Sequence, residues 1–340
     1  MTFSTHRTEL AGLPVAGYLE ARHLVRGGEA APHGAPSPER DGLADPGSVA
    51  WRLDRYCRGE EVPEDPREYL EGFLEFVGAP AAVRALVVGG LVEGFDVGSS
   101  DAVRDALVEL APRLPGLRSL FYADLTFEEC EASWIEHGDL SRLVNAFPGL
   151  VGFAVRGTAR LGLEALEHDG LRRLALQGGG LPGRLTREVV SSRLPALEHL
   201  ELWLGTEDYG GDTTAEDLAP VLSGEAFPAL RSLGLRNAEH TGAWVRVLAE
   251  APVTRGLHTL DLSLGTLRDK DVAPLLGSPV FRGLGKLDLH HHYLSEEAEK
   301  EVRAALAGAG VEVDLSEREE PEVDTYDGET ETYYYTAVSE

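Results

Sequence analysis

The amino-acid sequence predicts an α/β solenoid, a fold in which a short strand and a helix alternate along the chain. The first observation is a repeated leucine pattern, which occurs at Leu197–Leu204, Leu230–Asn237, Leu257–Leu264 and Leu284–His291. Each copy has leucine at positions one, four and six, and the copies start 33, 27 and 27 residues apart. The pattern L-x-x-L-x-L at this period is the signature of a leucine-rich repeat, with one strand and one helix per turn.

Two further observations extend the array. Degenerate copies of the strand are found at Val83–Gly90, Leu117–Asp124, Leu150–Gly157, Leu171–Gly178 and Gly308–Leu315. Amphipathic helices separate the strands, at Asp101–Leu114, Gly138–Phe147, Thr186–Ser192, Thr214–Leu222, Gly242–Glu250, Lys270–Leu276 and Ser295–Ala307. Prolines stand in several connections, where they stop the helix and favour an extended backbone before them. We therefore expect a right-handed solenoid of about eight repeats, with a parallel concave sheet and outer helices.

Composition divides the chain into three parts. Residues 1–80 are predicted to cap the array, with one strand at most in residues 1–25 and a helix from Pro66 that Gly78 ends. Residues 27–47 are rich in Gly, Pro and Ser, cannot bury enough apolar surface to offset their ordering entropy, and so predict a flexible loop. Residues 81–315 form the solenoid. Residues 316–340 form an acidic tail, whose stretch Tyr333–Val338 is a possible strand that extends the last repeat or folds back onto the array.

The charge balance narrows the class of partner. The chain has 340 residues and a formal net charge of −27, and its last 25 residues account for −8 of that charge. An acidic body repels phosphate backbones and anionic headgroups, which argues against nucleic-acid and membrane partners. Basic proteins, cationic ligands and metal ions stay open, and so does a role of the charge in solubility alone.

Cysteine usage and the N-terminus favour the cytoplasm. Cys57 and Cys130 lie far apart and have no metal-ligand spacing. The chain starts without a basic segment followed by an apolar one, and it has no apolar run of the length that spans a bilayer. A reducing compartment fits this pattern best.

Several phrases resemble those of a bacterial family of cytoplasmic leucine-rich-repeat proteins that is frequent in actinobacteria. They are LELWLG (Leu200–Gly205), LDLSLG (Leu260–Gly265), LDLHHHYLS (Leu287–Ser295) and SWIEHGDLSRL (Ser133–Leu143). The resemblance covers most of the chain from about residue 50 onward. It implies a repeat fold, and it brings no established catalytic activity or cofactor.

Strand alternation identifies the residues that face outward. Leucines four and six point into the core, so positions three, five and seven are expected on the opposite face of the sheet, which is the concave face. In the N-terminal repeats these positions hold mostly small side chains, whereas the C-terminal repeats carry polar and aromatic ones. The predicted partner-binding residues are His199, Glu201, Trp203, Arg236, Asp261, Lys286, Asp288 and His290.

Two interpretations of this patch stay open. Asp261 and Asp288 are expected to be lateral neighbours, and two such carboxylates repel unless a cation lies between them. Lys286 and Arg236 can supply that cation within an ordinary surface network. Alternatively the patch binds a protein, with Trp203 as an exposed anchor beside Arg236, since these residue types dominate binding energy at interfaces.

The run His290–His292 also raises the possibility of a metal site. His290, His292, Asp261 and Asp288 offer nitrogen and oxygen ligands that suit zinc or another divalent ion. Histidines at the end of a strand more often bond to backbone carbonyls. The chain contains no P-loop, H-E-x-x-H, G-x-S-x-G or C-x-x-C motif.

The sequence as a whole favours a non-enzymatic scaffold without a cofactor. It predicts that a protein partner binds the concave face of the C-terminal repeats, and a basic protein is one of the partners that the charge leaves open. The alternative is a metal-dependent enzyme or a metal sensor that uses Asp261, Asp288 and His290.

Overall fold

A computed structural model describes residues 4–26, 37–55, 62–92, 94, 96–326 and 329–339 of the chain. Cys57 and the first part of the predicted loop, residues 27–36, lie outside the described residues. The chain forms two compact units, of which the first comprises Met1–Leu174 with Ser192–Leu194 and the second Ala175–Ser191 with Pro195–Glu340. The predicted domain boundaries at 80/81 and 315/316 stay predictions.

The first unit alternates strands and helices. Its elements are β1 (Glu9–Leu10), β2 (Leu13–Gly17), α1 (Tyr18–Val25), α2 (Pro38–Ala44), β3 (Ala50–Leu53), α3 (Pro66–Val77), β4 (Ala85–Val88), α4 (Val97–Leu110), β5 (Ser119–Tyr122), α5 (Ser141–Asn145) and β6 (Gly152–Arg156). Strand β1 pairs with β2 in antiparallel fashion. Strands β2 to β6 pair in parallel and in chain order. The parallel ladder therefore begins inside the segment predicted to be a cap.

Two expectations for this N-terminal segment are wrong. Residues 1–25 hold two strands and helix α1 where one strand was expected, and α2 lies within the predicted loop 27–47. Pro38 occupies the first turn of α2, where a missing N–H has no cost. Gly42 is buried, and a Cβ built on it would lie 2.8 Å from the ring of Trp51. Composition could not predict this helix because a close contact with β3 stabilises it.

The second unit continues the same alternation. Its elements are β7 (Arg173–Gln177, of which Ala175–Gln177 belong here), α6 (Gly183–Val190), β8 (His199–Gly205), α7 (Ala219–Leu222), β9 (Ser232–Ala238), α8 (Thr241–Glu250), β10 (Thr259–Asp261), α9 (Ala273–Gly277), β11 (Lys286–Asp288), α10 (Glu296–Ala307), β12 (Glu312–Asp314), β13 (Glu322–Tyr326) and β14 (Glu329–Tyr333). Strands β8 to β12 pair in parallel and in chain order. Each predicted inter-strand helix is present; α8 begins one residue earlier than predicted, and the others are shorter or shifted.

The leucine pattern sets the interior of each repeat. The fourth-position leucines Leu200, Leu233, Leu260 and Leu287 are all 0% exposed. They are also mutual partners across the ladder, so one leucine of each strand packs beside that of the next. Burying such a side chain stabilises the fold by about 1.5–3 kcal/mol. The predicted α/β leucine-rich-repeat fold is confirmed.

The eighth position of several repeats has a left-handed backbone, within or shortly after the strand. Gly157, Asn237, Leu264 and His291 have φ values of 91°, 54°, 66° and 56°. Glycine, asparagine and histidine enter this region more readily than other residues, whereas leucine does so only where surrounding contacts hold it. We call Asn237, Leu264 and His291 the turn row.

The C-terminal part of the chain leaves the ladder and returns to it. Strands β13 and β14 form an antiparallel hairpin whose residues are all exposed. Residues 334–339, here called the tail segment, are not a strand, but Val338 is buried against the turn row. Of the two alternatives for Tyr333–Val338, folding back is the one observed. Among the described helices, none has the length and apolarity needed to cross a bilayer.

The packing of the fourth-position leucines can be tested by substitution. Leu260→Ala should lower the free energy of unfolding by about 2–5 kcal/mol, because it removes a fully buried side chain and leaves a cavity. Urea denaturation measures this loss. Leu43→Ala is the control, since Leu43 is 40% exposed on α2. Equal losses for the two variants would contradict the proposed packing.

Candidate functional site

The sheet face opposite the leucine core of the second unit carries a line of carboxylates on β8, β10, β11 and β12. Glu201 lies opposite Gly234, which lies opposite Asp261; Asp261 lies opposite Asp288, and Asp288 opposite Asp314. We call Glu201, Asp261, Asp288 and Asp314 the carboxylate row. Neighbouring strands are about 4.8 Å apart, so adjacent carboxylates interact strongly with one another and with any cation beside them.

The seventh-position residues of four successive repeats, Trp203, Arg236, Ser263 and His290, also line up side by side. Trp203 is the ladder partner of Arg236, and the Arg236 Nε donates a hydrogen bond to Ser263 Oγ over 2.9 Å. The backbone N–H of Leu264 donates to the carbonyl of His290, which places Ser263 beside His290 in the same parallel register. The turns after β10 and β11 thus preserve the alignment.

Arg236 is the central cation of this face. Its guanidinium lies over the Trp203 ring, 5.1 Å from the ring centroid, in cation–π geometry. It also lies 3.5 Å from Glu201 Oε1 and 3.2 Å from Asp261 Oδ2. One arginine therefore bridges two members of the carboxylate row across the gap at Gly234.

Glu201 is held as a carboxylate by its neighbours. Trp203 Nε1 donates to Glu201 Oε1 over 2.7 Å, and Gln177 Nε2 donates to the same oxygen over 3.2 Å. Burial by itself raises the pKa of Glu201, but His199, the charge of Arg236 and the Trp203 hydrogen bond outweigh it and lower that pKa to about 2. The side chain therefore stays ionised down to strongly acidic pH.

Asp261 and Asp288 have opposite electrostatic environments. Burial is the largest cause that raises the pKa of Asp261; Asp288 adds to it, and Arg236 and Ser263 oppose it. Burial also raises the pKa of Asp288, but hydrogen bonds from His290 and the charges of His290 and Lys286 leave it lowered. The expected pair of neighbouring carboxylates is therefore present, and Arg236 and Lys286 lie beside it as the surface-network interpretation requires.

Trp203 does not provide the exposed anchor expected from the sequence. It is only 4% exposed, because its ring is covered on one side by Arg236 and its Nε1 is bonded to Glu201. Alternation predicts the face correctly but cannot show that long neighbouring side chains cover the ring.

The accessible margins of the patch are His199 and Lys286. The His199 side chain is 34% exposed, and its Nδ1 lies 2.8 Å from Ser232 Oγ. The Lys286 side chain is 36% exposed, and its Nζ lies 3.4 Å from Asp288 Oδ2. Contact with a partner on this face would begin at these side chains and at the partly exposed edges of the carboxylates.

The residues able to hold a metal differ from those predicted. Within the described residues, Asp288, His290 and Asp314 place one ligand atom each within 4.8 Å of one another. Asp261 is bonded to Arg236 and Ser263 instead. His292 is fully buried; its Nε2 donates to the Leu315 carbonyl and its Nδ1 accepts from the Leu294 N–H. The expectation that His292 joins such a site is therefore wrong.

The first unit contains a buried charge cluster that the sequence did not indicate. Asp124 is 0% exposed, and Arg52 NH1 lies 2.7 Å and Arg156 NH2 3.4 Å from its carboxylate. The backbone N–H of Arg7 donates to the same carboxylate, and the Arg7 guanidinium lies 4.4 Å from the centroid of the Phe121 ring. The mostly small side chains expected at positions three, five and seven of the N-terminal repeats therefore do not exclude a charge cluster elsewhere in this unit.

The positions of Arg52 and Asp124 explain the omission. Arg52 comes from β3, in the segment predicted to be a cap, and Asp124 follows β5 at the eighth position of its repeat. Neither residue is at position three, five or seven of a predicted repeat, the positions that strand alternation assigns to the concave face. The signal was present, because an aspartate directly after an apolar strand must be paired or solvated.

A second buried polar cluster lies at the end of β4 and β5. The Ser100 Oγ lies 2.7 Å from His137 Nδ1, and His137 Nε2 donates to the Arg156 carbonyl over 2.7 Å. Tyr122 OH donates to the Ser100 carbonyl. Burial lowers the pKa of His137 to about 4, so the ring is neutral, and its bonded Nε2–H leaves Nδ1 as the acceptor of the serine proton. Both ring nitrogens are satisfied, which is the arrangement of a structural histidine.

Comparison with known proteins supports the fold. No family model matches the sequence, and no curated protein matches it significantly. The chain is similar to a crystal structure of a protein from Bacteroides fragilis, with 28% identity and a TM-score of 0.70 over 89% of this chain and 82% of that one. This likeness supports the repeat architecture read from the strand register.

Two structures of lower similarity were also found. The TLR13–ssRNA13 complex has 17% identity and a TM-score of 0.38, over 79% of this chain and 32% of that one. The APL1 leucine-rich repeat domain has 14% identity and a TM-score of 0.25, over 73% of this chain and 71% of that one. The buried leucines and the parallel strand register, rather than these two structures, identify the α/β leucine-rich-repeat fold.

Glu201 should make stability depend on pH in a defined range. Its pKa is lower in the folded chain, about 2, than the ordinary value of 4.5. Its ionised form therefore stabilises the fold above about pH 4.5, and the contribution is lost as pH falls towards 2. Glu201→Gln should lower the free energy of unfolding by up to about 3 kcal/mol at neutral pH, and by progressively less in acid.

Urea denaturation at a series of pH values measures this difference between the wild type and Glu201→Gln. Glu225→Gln is the control, because Glu225 is exposed in the same unit, and it should change stability by less than about 0.5 kcal/mol. A Glu201→Gln loss that does not change between neutral and acidic pH would show that Glu201 is not held as an ion.

Proposed function

We propose that this chain is a protein-binding scaffold. The sheet face that carries the carboxylate row, which is the predicted concave face of the C-terminal repeats, binds a cationic segment of a partner protein. The leucine-rich-repeat fold supports a protein-interaction scaffold in general. The Trp203 ring packs against the Arg236 guanidinium and holds it in place. The proposed contact residues are His199, Glu201, Arg236, Asp261, Lys286, Asp288 and His290. The proposal includes a cytoplasmic location and the actinobacterial-type family that the phrase LDLHHHYLS resembles.

The carboxylate row is the observation that carries the proposal. It brings four acidic side chains onto one face, where Arg236 and Lys286 are the permanently charged basic side chains in ion-pair contact with them among the described residues. His199 and His290 also contact the row, and they add positive charge only when they are protonated. Negative charge is thus in excess along the row, and a lysine or arginine from outside would be attracted to it. At about 4 Å, two opposite charges near a protein surface attract by about 4 kcal/mol before desolvation is counted.

The row also favours a protein over a small ion as the principal ligand. The row extends from β8 to β12, four strand spacings of about 4.8 Å or roughly 19 Å in all, which is longer than a single ion can contact. A basic segment laid across the strands could therefore place successive cations near successive carboxylates. Complementary charge of this kind mainly accelerates association and selects the partner.

A charge-neutralising variant tests the proposal. The double variant Asp288→Asn with Asp314→Asn should weaken the binding of a fluorescently labelled oligolysine peptide by about tenfold or more, because it removes two carboxylates of the row. The control is Glu297→Gln with Glu301→Gln on α10, which removes the same charge from another surface of the unit. Fluorescence anisotropy at several salt concentrations measures both.

If both double variants bind oligolysine equally, only the net charge attracts the peptide and the proposed face is wrong. Equal binding of an oligoglutamate peptide to the wild type would contradict the proposal as well.

The second candidate function is binding of a divalent ion by Asp288, His290 and Asp314. The observation that favours it is the convergence of their ligand atoms within 4.8 Å. It ranks second because two groups already occupy the Asp288 carboxylate: Lys286 Nζ lies 3.4 Å from Oδ2, and His290 Nδ1 donates to Oδ1 over 2.7 Å. A bound ion would have to displace them.

Zinc titration of protein without a histidine tag tests this candidate. If the ion binds there, zinc raises the melting temperature of the wild type, and Lys286→Ala increases the shift because it removes a competing cation. His290→Ala should abolish the shift. An identical response of the His290→Ala variant and the wild type would remove this candidate.

A further inference from the structure

The tail segment (residues 334–339) follows the turn row from one repeat to the next. The Tyr335 carbonyl accepts from His291 Nε2, 3.4 Å away, at the end of β11. The Ala337 N–H donates to the Leu264 carbonyl, at the end of β10, over 2.9 Å. The Val338 N–H donates to Asn237 Oδ1, at the end of β9, over 3.0 Å. Three successive repeats thus bind three residues of one extended segment.

Two side chains bind the segment through paired hydrogen bonds. Asn237 accepts from the Val338 N–H through Oδ1 and donates to the Val338 carbonyl through Nδ2. The Tyr293 hydroxyl accepts from the Tyr335 N–H over 3.0 Å and donates to the Tyr335 carbonyl over 2.8 Å. Each pair satisfies both backbone groups of one residue, which is recognition of a peptide backbone and does not depend on its side chains.

Side-chain contacts add selectivity at particular positions. Thr336 and Val338 are each 6% exposed, whereas the Tyr335 side chain is 50% exposed. The Tyr334 ring packs edge-on against Tyr293, with centroids 5.1 Å apart, and lies 4.7 Å from the Arg268 guanidinium. The surface therefore accepts an aromatic residue, a threonine and a valine, and it leaves the residue after the aromatic one facing solvent.

The docked segment covers the Asn237 side chain. Asn237 is 0% exposed, and its amide is aimed at the backbone of Val338. Removal of the segment without replacement would break these bonds and leave the amide with the Gly178 carbonyl, 3.5 Å from Nδ2, and solvent as its partners. The segment is joined to α10 and β12 through the exposed hairpin β13–β14, and two-stranded hairpins are marginally stable by themselves. The docked segment is therefore connected to the repeats through a surface hairpin that contributes little stability of its own.

We propose that the turn row with Tyr293 is a binding site for an extended peptide, that residues 334–339 fill it within the chain, and that the C-terminal segment of a second copy fills it in trans when the chain's own segment is displaced. This site lies at the strand ends and is independent of the carboxylate row, so either proposal can fail without the other.

Deletion of residues 334–340 followed by addition of the synthetic peptide YYTAVSE, labelled with fluorescein, tests the proposal. The truncated chain should bind the peptide saturably. The full-length chain should bind it at least about tenfold more weakly, because the tethered segment competes at an effective concentration in the millimolar range. Fluorescence anisotropy measures both affinities.

Matched peptides and one protein variant identify the contacts. A peptide with N-methylvaline at the position of Val338 lacks the N–H that donates to Asn237 Oδ1. A peptide with Asp at that position would place a charged carboxylate where the buried valine side chain lies. Both should bind at least about tenfold more weakly. A peptide with Ala at the position of Tyr335 should bind as well as the parent, since that side chain is largely exposed. Asn237→Ala in the truncated chain should weaken the parent peptide.

Each outcome decides the proposal. A folded truncated chain that does not bind the peptide, or that binds the Asp peptide equally well, overturns it. If the truncated chain does not fold alone, the parent peptide should restore its circular dichroism spectrum and melting transition, and failure to do so also overturns the proposal. In the full-length chain, Val338→Asp should release the segment to chymotrypsin cleavage at Tyr334 and Tyr335, whereas resistance equal to that of the wild type contradicts it.

Discussion

The parallel backbone ladder determines nearly everything else in the second unit. Because its strands pair with residues one repeat apart directly opposite each other, fourth-position leucines fall beside leucines and fifth-position acids beside acids. A slip of one residue in this register would exchange the two faces, exposing Leu260 and burying Asp261. The large cost of that exchange holds the register in place, and the register assembles the carboxylate row from residues far apart in sequence.

The sequence predicts what the repeat period controls and misses what single contacts control. The leucine core, the strand order and the neighbour relation of Asp261 with Asp288 follow from period and alternation alone. The burial of Trp203 depends on the reach of Arg236 across one strand, and the inward orientation of His292 follows a turn in which alternation ends. Helix α2 depends on a glycine packed against Trp51. None of these contacts recurs at the repeat period, so the sequence pattern does not indicate them.

The two units treat buried charge in different ways. In the first, Asp124 is enclosed by Arg52 and Arg156, so its charge is compensated within the fold. Breaking such a buried pair leaves an uncompensated ion and is strongly destabilising, which makes this cluster structural. In the second, the carboxylates keep partly exposed edges and exceed their basic neighbours in number. Excess charge at an accessible edge is available to a partner, and enclosed charge is not.

The eighth position links the fold to the docked segment. A left-handed residue changes the chain direction between strand and helix in three of these repeats, and Asn237 enters that conformation more readily than Leu264. The turn leaves the Leu264 carbonyl and the Asn237 and His291 side chains free of the ladder, so they bond to residues 335–338 instead. A repeating turn therefore creates a repeating set of polar groups. An extended peptide satisfies such a set better than water does, because its own N–H and C=O groups recur along the same direction.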